Sequence, residues 1–495
     1  MFIINCTNQK YAYDVHSLTK AFYPEKLLKM LTPETKREEY EELAKQAQIV
    51  FMIDDLESIE DGSLGNTGIY FMEDGVVSEY HPQKQESEIS KKNQLKKFLY
   101  EALSDHTGKT LPWGNLTGIR PTKLVMQQIE AGLSDRQIRD FMREVHMVSE
   151  EKIALAMDIA HREKKLLSDL HYEDGYSLYI GIPFCPTTCL YCSFTSYPIC
   201  TYRDKVDAYV DCLIEEMKQS AQIMEGKVLD TVYIGGGTPT TLEAEQLEKL
   251  ITALKEIYDF STVKEFTVEA GRADSITREK LETLYKLGVT RISVNPQTMN
   301  EETLRFIGRQ ATAAQTVEAY KLAREVGFDN INMDIILGLP GEQEKEVADT
   351  IEKIVALHPD SLTVHSLAIK RASKLRQYIE KNGMSELTGS DAVMDIAAEG
   401  ARKMDMKPYY LYRQKNMSGN LENVGFAEEG KYGIYNILIM EELQTIVALG
   451  AGSITKRVFP DGRIERCDNV KDVELYMAKI EEMLDRKRQL FMITE

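Results

Sequence analysis

Between residues 177 and 367, short β-branched runs alternate with amphipathic helical runs, and this alternation restricts the fold more than any other feature. The predicted strands are 177–182, 231–236, 265–270, 291–296, 330–336 and 361–367. The predicted helices lie near 203–223, 242–257, 276–287, 312–326 and 343–356. Repeated βα units form parallel sheets with right-handed crossovers. Six units are too few for a closed eight-unit barrel, so the sequence predicts an α/β fold with an open, partial (β/α)6 barrel.

The segments on either side of this alternation differ from it in pattern, and a chain of 495 residues is too long for one hydrophobic core. The sequence predicts a small α+β N-terminal domain, a helical linker region, the partial barrel and a small C-terminal domain, with bounds at 1–108, 109–172, 173–375 and 376–495. In the first segment, Asp74-Gly75 predicts a hairpin turn. In the second, Ser134 begins a capping-box pattern, and Trp113 is expected to be a buried aromatic in a linking loop.

Charge and hydropathy exclude several classes of protein. The net charge of −19 disfavours general binding to nucleic acid or to anionic membranes. No apolar run is long enough for membrane insertion, and the first residues lack the basic and apolar regions of a secretory signal. We therefore expect a cytoplasmic protein.

Three of the seven cysteines, Cys185, Cys189 and Cys192, directly follow the first predicted barrel strand. In barrel folds the loops at the carboxyl ends of the strands carry the active site. Three thiolates can hold a 4Fe–4S cluster and leave one iron open for a small chelating ligand. The alternative is a zinc site, which needs a fourth ligand such as Cys200.

These residues carry a specific family resemblance. The C-x-x-x-C-x-x-C motif, the preceding IPFC and Tyr191 inside the motif resemble the radical S-adenosylmethionine (SAM) superfamily. Within it they are similar to the oxygen-independent coproporphyrinogen III dehydrogenase family, and LTGIRPTK and YNILIM resemble its HemZ type. The resemblance implies that the cysteines bind a 4Fe–4S cluster, that the open iron binds SAM, and that an electron donor such as flavodoxin or ferredoxin reduces the cluster.

Further residues at successive strand ends match positions that contact SAM in this family. By resemblance these are Tyr179, Tyr191, Gly236, Gly237, Thr238, Glu269, Gln297, Arg309, Asp334 and Ala368. The chain departs from the family after Glu269, where Gly271 and Arg272 replace the usual Asn-Pro. His365 on the sixth strand is interpreted as a core histidine.

The resemblance also implies a tetrapyrrole substrate. The expected reaction converts two propionates of coproporphyrinogen III to vinyl groups and yields protoporphyrinogen IX in haem biosynthesis. Binding four carboxylates calls for cations near the barrel mouth, and the candidates by position are Lys370, Arg371, Arg413 and Lys456. No catalytic side chain is assigned.

Two other functions remain open. One is a haem-binding or haem-delivery protein on the same scaffold. Relatives of that type carry a His-Asn pair, whereas this chain has Tyr435 before Asn436. The other is a radical SAM enzyme that modifies a different tetrapyrrole. Gly181 stands where the well-described dehydrogenases have His, so the cofactor prediction has more support in the sequence than the substrate prediction.

Overall fold

The structure is a computed structural model that describes residues 2–24, 26–59, 63–73, 75–82, 89–172, 174–368, 373–382, 390–414 and 421–493. The chain divides into two compact units, residues 1–160 and 161–495. The finer division of the chain into four segments stays a prediction. Asp74 of the predicted hairpin turn lies outside the described residues.

The N-terminal unit contains a five-stranded sheet and several helices. Its strands are β1 (Phe2–Cys6), β2 (Leu28–Leu31), β3 (Ile49–Met52), β4 (Gly68–Glu73) and β5 (Val76–Tyr80). Its helices are α1 (Ala12–Phe22), α2 (Arg37–Leu43), α3 (Lys91–Thr107), α4 (Thr122–Glu130) and α5 (Asp135–Glu144). A further helix, α6, covers Glu150–Leu167.

The sheet of this unit has the order β2-β1-β3-β4-β5. Strand β1 lies between β2 and β3 and pairs in parallel with both, and β4 and β5 form the predicted antiparallel hairpin. Aliphatic and aromatic side chains of α1, α3 and the sheet share one core. The capping box at Ser134 is confirmed, since its side chain and that of Gln137 bond reciprocally at the start of α5. Trp113 is buried, as expected.

The second unit contains the alternating region. The strands of this region are β6 (Gly175–Ile182), β7 (Phe184–Cys185), β8 (Tyr197–Pro198), β9 (Val228–Gly236), β10 (Glu265–Gly271), β11 (Arg291–Val294), β12 (Ile331–Leu337) and β13 (Ser361–Ser366). The helices are α7 (Val206–Ile223), α8 (Ala244–Ile257), α9 (Arg278–Lys286), α10 (Glu301–Phe306), α11 (Ala313–Val326) and α12 (Glu344–Leu357).

The predicted partial barrel is confirmed. Strands β6, β9, β10, β11, β12 and β13 lie side by side in this order, and every neighbouring pair is parallel. The predicted strand and helix ends differ from the observed ones by at most three residues. One face of the sheet is aliphatic: Leu178, Val232, Val268 and Ile292, on four neighbouring strands, are completely buried. The opposite face carries the polar side chains of the candidate site.

The last segments of the chain extend this sheet on both sides. They form α13 (Lys374–Asn382), α14 (Asp391–Lys403), β14 (Lys407–Tyr412), β15 (Asn423–Ala427), α15 (Ile434–Glu441), β16 (Thr445–Leu449), β17 (Ile454–Val458), β18 (Ile464–Asp468), α16 (Val473–Ala478) and α17 (Ile480–Met492). The full order is β14-β15-β13-β12-β11-β10-β9-β6-β16-β17-β18. Strand β16 is parallel to β6, whereas β15 is antiparallel to β13.

A buried ion pair connects the last helix to the barrel. Lys487 of α17 donates to Glu216 of α7 at 2.5 Å, and both side chains are almost completely excluded from solvent. Glu216 also accepts hydrogen bonds from Tyr476 and Asn469. Among the described helices, none is both long and apolar enough to cross a bilayer.

Candidate active site

The three clustered cysteines lie on residues 184–198, which we call the cysteine loop. It begins with β7 directly after β6, at the carboxyl ends of the parallel strands, as the sequence predicts. Cys185 is buried, and Cys189 and Cys192 are partly exposed. The loop is therefore at the edge of the sheet where barrel enzymes bind their substrates.

Backbone hydrogen bonds fix the cysteine loop to its neighbours. The N–H groups of Gly237 and Thr238, at the end of β9, donate to the carbonyls of Ile182 and Phe184 at 2.8 and 2.7 Å. Further along, the Leu190 N–H donates to the carbonyl of Ile307 at 2.9 Å. These bonds attach the loop to the end of β9 on one side and to Ile307 on the other.

Each cysteine sulfur has a polar neighbour. Thr238 Oγ1 donates to Cys185 Sγ at 3.5 Å, Arg272 Nη1 donates to Cys189 Sγ at 3.9 Å, and Ser196 Oγ lies 3.9 Å from Cys192 Sγ. Donors of this kind stabilise thiolate ligands and tune iron–sulfur clusters. The donor set thus fits a 4Fe–4S cluster held by three thiolates.

A thiolate at the buried Cys185 is energetically unfavourable unless its charge is compensated. Burial raises the pKa of Cys185 to about 11, although the hydrogen bond from Thr238 lowers it. A bound metal removes this cost because it replaces the proton. Cys200, the candidate fourth ligand of a zinc site, is exposed.

Two glycines at the end of β9, Gly236 and Gly237, are required by close packing and backbone conformation. Gly236 has a φ of +110°, which side chains rarely adopt. A Cβ atom on Gly237 would lie 2.5 Å from the carbonyl oxygen of Phe184. The N–H of Gly237 already donates to Ile182, so this glycine permits the close approach of the cysteine loop itself.

A stack of three tyrosines lies beside Glu269. The rings of Tyr233 and Tyr435 are 4.5 Å apart, and Tyr179 lies 6.3 Å from each. The Tyr233 hydroxyl donates to Glu269 Oε1 at 2.5 Å. Burial raises the pKa of Glu269 to about 7, and the nearby charge of Asp334 raises it as well, whereas the Tyr233 bond opposes both. Glu269 thus changes its protonation state near neutral pH.

Asp334 on β12 has the opposite behaviour. Burial raises its pKa, but hydrogen bonds and charge from His365, and a bond from Asn332, outweigh burial and hold the pKa below its ordinary value. Asn332 Nδ2 donates to Asp334 Oδ1 at 2.6 Å, and His365 Nε2 lies 3.9 Å from Oδ2. His365 also lies 3.4 Å from the Tyr412 hydroxyl, so it bridges two polar groups within the site.

Gln297 has an unusual backbone. Its φ is +66°, and it forms a backbone bridge to β12. Its N–H donates to the backbone carbonyl of Asp334, and its carbonyl accepts from the N–H of Ile336, both at 2.9 Å. The side-chain Oε1 is buried without a hydrogen-bond partner among the described residues. A strained residue with an unsatisfied polar atom is typical of a ligand site.

Two other residues predicted to contact SAM, Arg309 and Ala368, lie after different elements of the barrel. Arg309 is buried, and its guanidinium donates to the carbonyl of Asn295 at 2.8 Å and to the Tyr191 hydroxyl at 3.4 Å. It therefore connects the cysteine loop to the end of β11. Ala368 is partly buried and follows β13.

The two described candidate cations for substrate carboxylates, Lys456 and Arg413, lie at different strands of the sheet. Lys456 on β17 pairs with Glu442 at 3.1 Å. Arg413 directly follows β14 and is buried, and burial lowers its pKa to about 10 although Glu422 opposes the change. Two further candidates, Lys370 and Arg371, lie outside the described residues.

Sequence reasoning missed three residues of this site. The departure from the family pattern at Arg272 was visible, but its contact with Cys189 was not. Tyr233 was detectable, because it is two residues before the glycines on the predicted second strand. Tyr435 stands out in the sequence only as the residue before Asn436, and nothing in that apolar run indicates that its ring stacks on Tyr233.

Comparisons with known proteins show the family of this chain. The model of the radical SAM superfamily matches residues 179–354. The oxygen-independent coproporphyrinogen-III oxidase-like protein HemZ of Bacillus subtilis is 41% identical over 415 residues, which are 82% of this chain and 83% of that protein. Heme chaperone HemW of Lactococcus lactis is 36% identical over 278 residues, 56% of this chain and 68% of that protein.

A solved structure shares the fold. Coproporphyrinogen III oxidase HemN from Escherichia coli, a radical SAM enzyme, superposes with a TM-score of 0.50 at 22% identity, and the match covers 65% of this chain and 73% of that one.

Proposed function

Because the chain belongs to the radical SAM superfamily, and within it to the HemZ-like proteins, we propose that it catalyses the oxygen-independent oxidative decarboxylation of coproporphyrinogen III. The observation that carries this proposal is the similarity to the HemZ oxidase-like protein, which extends over 82% of the chain and so well beyond the radical SAM core. The product is protoporphyrinogen IX, an intermediate of haem biosynthesis.

Members of this superfamily bind a 4Fe–4S cluster and SAM. Cys185, Cys189 and Cys192 are the residues of this chain that would hold the cluster. When bound, the two cofactors supply the one-electron chemistry that removes an unactivated hydrogen atom. The role of the protein is to orient the reactants and to exclude water and oxygen.

The candidate residues divide this task. In our proposal Glu269 and Asp334 accept hydrogen bonds from the sugar hydroxyls or the ammonium of SAM, and the guanidinium of Arg309 pairs with its carboxylate. Gln297 contributes its unsatisfied amide oxygen. The ring of Tyr435, stacked on Tyr233, shields this end of the barrel from water.

The substrate reaction balances as follows. Each of two propionates loses one hydrogen atom from its β-carbon, one molecule of carbon dioxide and one electron, and leaves a vinyl group. Each hydrogen atom would be taken up by the nucleoside part of one SAM molecule, whose carbon–sulfur bond breaks on one-electron reduction with methionine as the leaving group. The electron released with the carbon dioxide would leave to a one-electron acceptor. A flavodoxin or ferredoxin is the class of partner that reduces the cluster beforehand. Arg413 is the described cation that we propose for a substrate carboxylate.

An anaerobic assay tests the proposal. The reconstituted protein receives SAM, a reductant and coproporphyrinogen III, and the expected products carry one and then two vinyl groups. The Cys185→Ala variant is the matched negative control. Cleavage of SAM without vinyl products would show that coproporphyrinogen III is not the substrate, and would favour a different tetrapyrrole.

A haem-delivery function is the second candidate, because the chain is also similar to a heme chaperone HemW. It predicts stable haem binding without decarboxylation. Tyr435 stands where such relatives carry the histidine of their His-Asn pair, and its ring is buried in the tyrosine stack. A haem titration of the wild type and Tyr435→Phe, read by the Soret band, distinguishes the two functions.

A further inference from the structure

A buried arginine lies against the cysteine loop. Arg272 follows β10 and is 4% exposed. Its Nη1 donates to the carbonyl and the hydroxyl of Thr187 at 3.0 and 2.8 Å, and it lies 3.9 Å from Cys189 Sγ. One side chain therefore contacts both the backbone of the cysteine loop and a cluster ligand.

The other edge of the guanidinium is neutralised by a single carboxylate. Arg272 Nε and Nη2 donate to the two oxygens of Asp274 at 2.9 and 2.5 Å, and the Asp274 side chain is also largely buried. This bidentate geometry fixes the plane of the guanidinium. Nη1 is consequently held in place toward Cys189.

The position of this pair is peculiar to the loop after β10. The family resemblance predicts Asn-Pro after Glu269, and neither residue can donate a charged N–H group to a cysteine. Here Gly271, with a φ of +62°, turns the chain so that Arg272 can reach the cysteine loop. The substitution thus exchanges a neutral neighbour of the cluster for an ion pair whose charged N–H group lies toward Cys189.

We propose that Arg272 and Asp274 act together as a positioning pair that sets the reduction potential of the 4Fe–4S cluster through Cys189. Reduction makes the cluster more negative. A cationic N–H donor near a ligand sulfur stabilises the reduced state more than the oxidised state, and therefore raises the potential. Asp274 moderates this effect because its negative charge partly cancels that of the guanidinium.

Removing the two charges of the pair should shift the reduction potential in opposite directions, which a purely structural role would not do. Removal of the arginine charge lowers the potential, and removal of the aspartate charge raises it. The double variant, Arg272→Gln with Asp274→Asn, leaves the net charge unchanged but replaces the charged N–H donor by a neutral one, so its potential falls between that of Arg272→Gln and that of the wild type. A loop that is merely loosened would shift in the same direction in both single variants.

The test is an anaerobic redox titration of the reconstituted protein, followed by the electron paramagnetic resonance signal of the reduced cluster. We expect that Arg272→Gln decreases the ratio of reduced to oxidised cluster about tenfold at the wild-type midpoint, which corresponds to about 59 mV for a one-electron couple. Asp274→Asn shifts the midpoint upward. Arg272→Lys, which keeps the charge, restores part of the lost potential.

Arg278→Gln is the matched control, since it removes the same charge from a half-exposed side chain on α9. Its midpoint should equal that of the wild type. The proposal is overturned if Arg272→Gln has the midpoint of this control, or if Asp274→Asn does not move upward. If Arg272→Gln loses its cluster, the midpoints of Arg272→Lys and Asp274→Asn decide whether the proposal holds. The titration involves no tetrapyrrole, so a negative coproporphyrinogen assay leaves this inference standing.

Discussion

The protonation of Glu269 gives a quantitative prediction for the protein without cofactors. Burial raises the pKa of this carboxyl from 4.5 to about 7 in the folded chain. A carboxyl with a raised pKa binds its proton more tightly in the folded state than in the unfolded state. Its contribution to stability is therefore complete below pH 4.5, decreases as the pH rises toward about 7, and is absent above.

The magnitude follows from the two pKa values. Each pKa unit corresponds to about 1.36 kcal/mol, so the whole difference between 4.5 and about 7 corresponds to about 3 kcal/mol. About 2 kcal/mol of this is lost between about pH 5.5 and about pH 8. Glu269→Gln has no proton to lose. The free energy of unfolding of this variant, relative to the wild type, should therefore increase by about 2 kcal/mol over that range.

Urea unfolding followed by far-ultraviolet circular dichroism measures this difference at the two pH values. A constant effect of the substitution on packing cancels, because only the change with pH is compared. Glu248→Gln, which removes an exposed carboxylate on α8, is the control and should show no such change. If Glu269→Gln and the wild type differ by the same amount at both pH values, the inferred burial of this carboxyl is wrong.

Three other predictions concern the cysteine loop and the last helix. Alanine at any of the three motif cysteines should abolish reconstitution of the 4Fe–4S cluster, measured by iron content and absorbance, whereas Cys200→Ala should retain it. Gly237→Ala should destabilise the protein by about 1–3 kcal/mol in urea unfolding, because its Cβ overlaps the cysteine loop, while Gly118→Ala, which has open space, should have no effect. Lys487→Met should cost about 3–5 kcal/mol, because it leaves the Glu216 charge buried and unpaired; an unchanged urea midpoint would contradict this.

The sequence predicted the parts of the fold that depend on local periodicity. Each βα unit has its own alternation of β-branched and amphipathic runs, so the six strands and the position of Cys185 after the first of them could be predicted. Which strands pair with each other could not be predicted from local periodicity. The run that contains β16 reads only as apolar, and nothing within it indicates that it pairs in parallel with β6. That pairing depends on contacts between residues more than two hundred positions apart.

The candidate site divides in the same way. Cysteine spacing and residue types at strand ends are visible in one dimension, and with the family resemblance they made Glu269 and Asp334 candidates for the site. The protonation behaviour of these two carboxyls was not visible, since burial raises the pKa of one and hydrogen bonds lower that of the other. Tyr435 was missed for a similar reason: it reaches the site from α15, far along the chain.

Gln297 is the position where the structure adds most to the sequence prediction. A non-glycine residue in the left-handed region costs about 1–3 kcal/mol. A buried amide oxygen without a partner costs about 1–3 kcal/mol more. Two backbone hydrogen bonds to β12 hold the residue in this conformation, which directs its side chain away from ordinary strand geometry. A ligand that donates a hydrogen bond to Oε1 would remove the second cost, so we expect SAM binding to the reconstituted protein to weaken about tenfold in Gln297→Ala, measured by equilibrium dialysis. Unchanged affinity would show that the strain at this residue serves the fold alone.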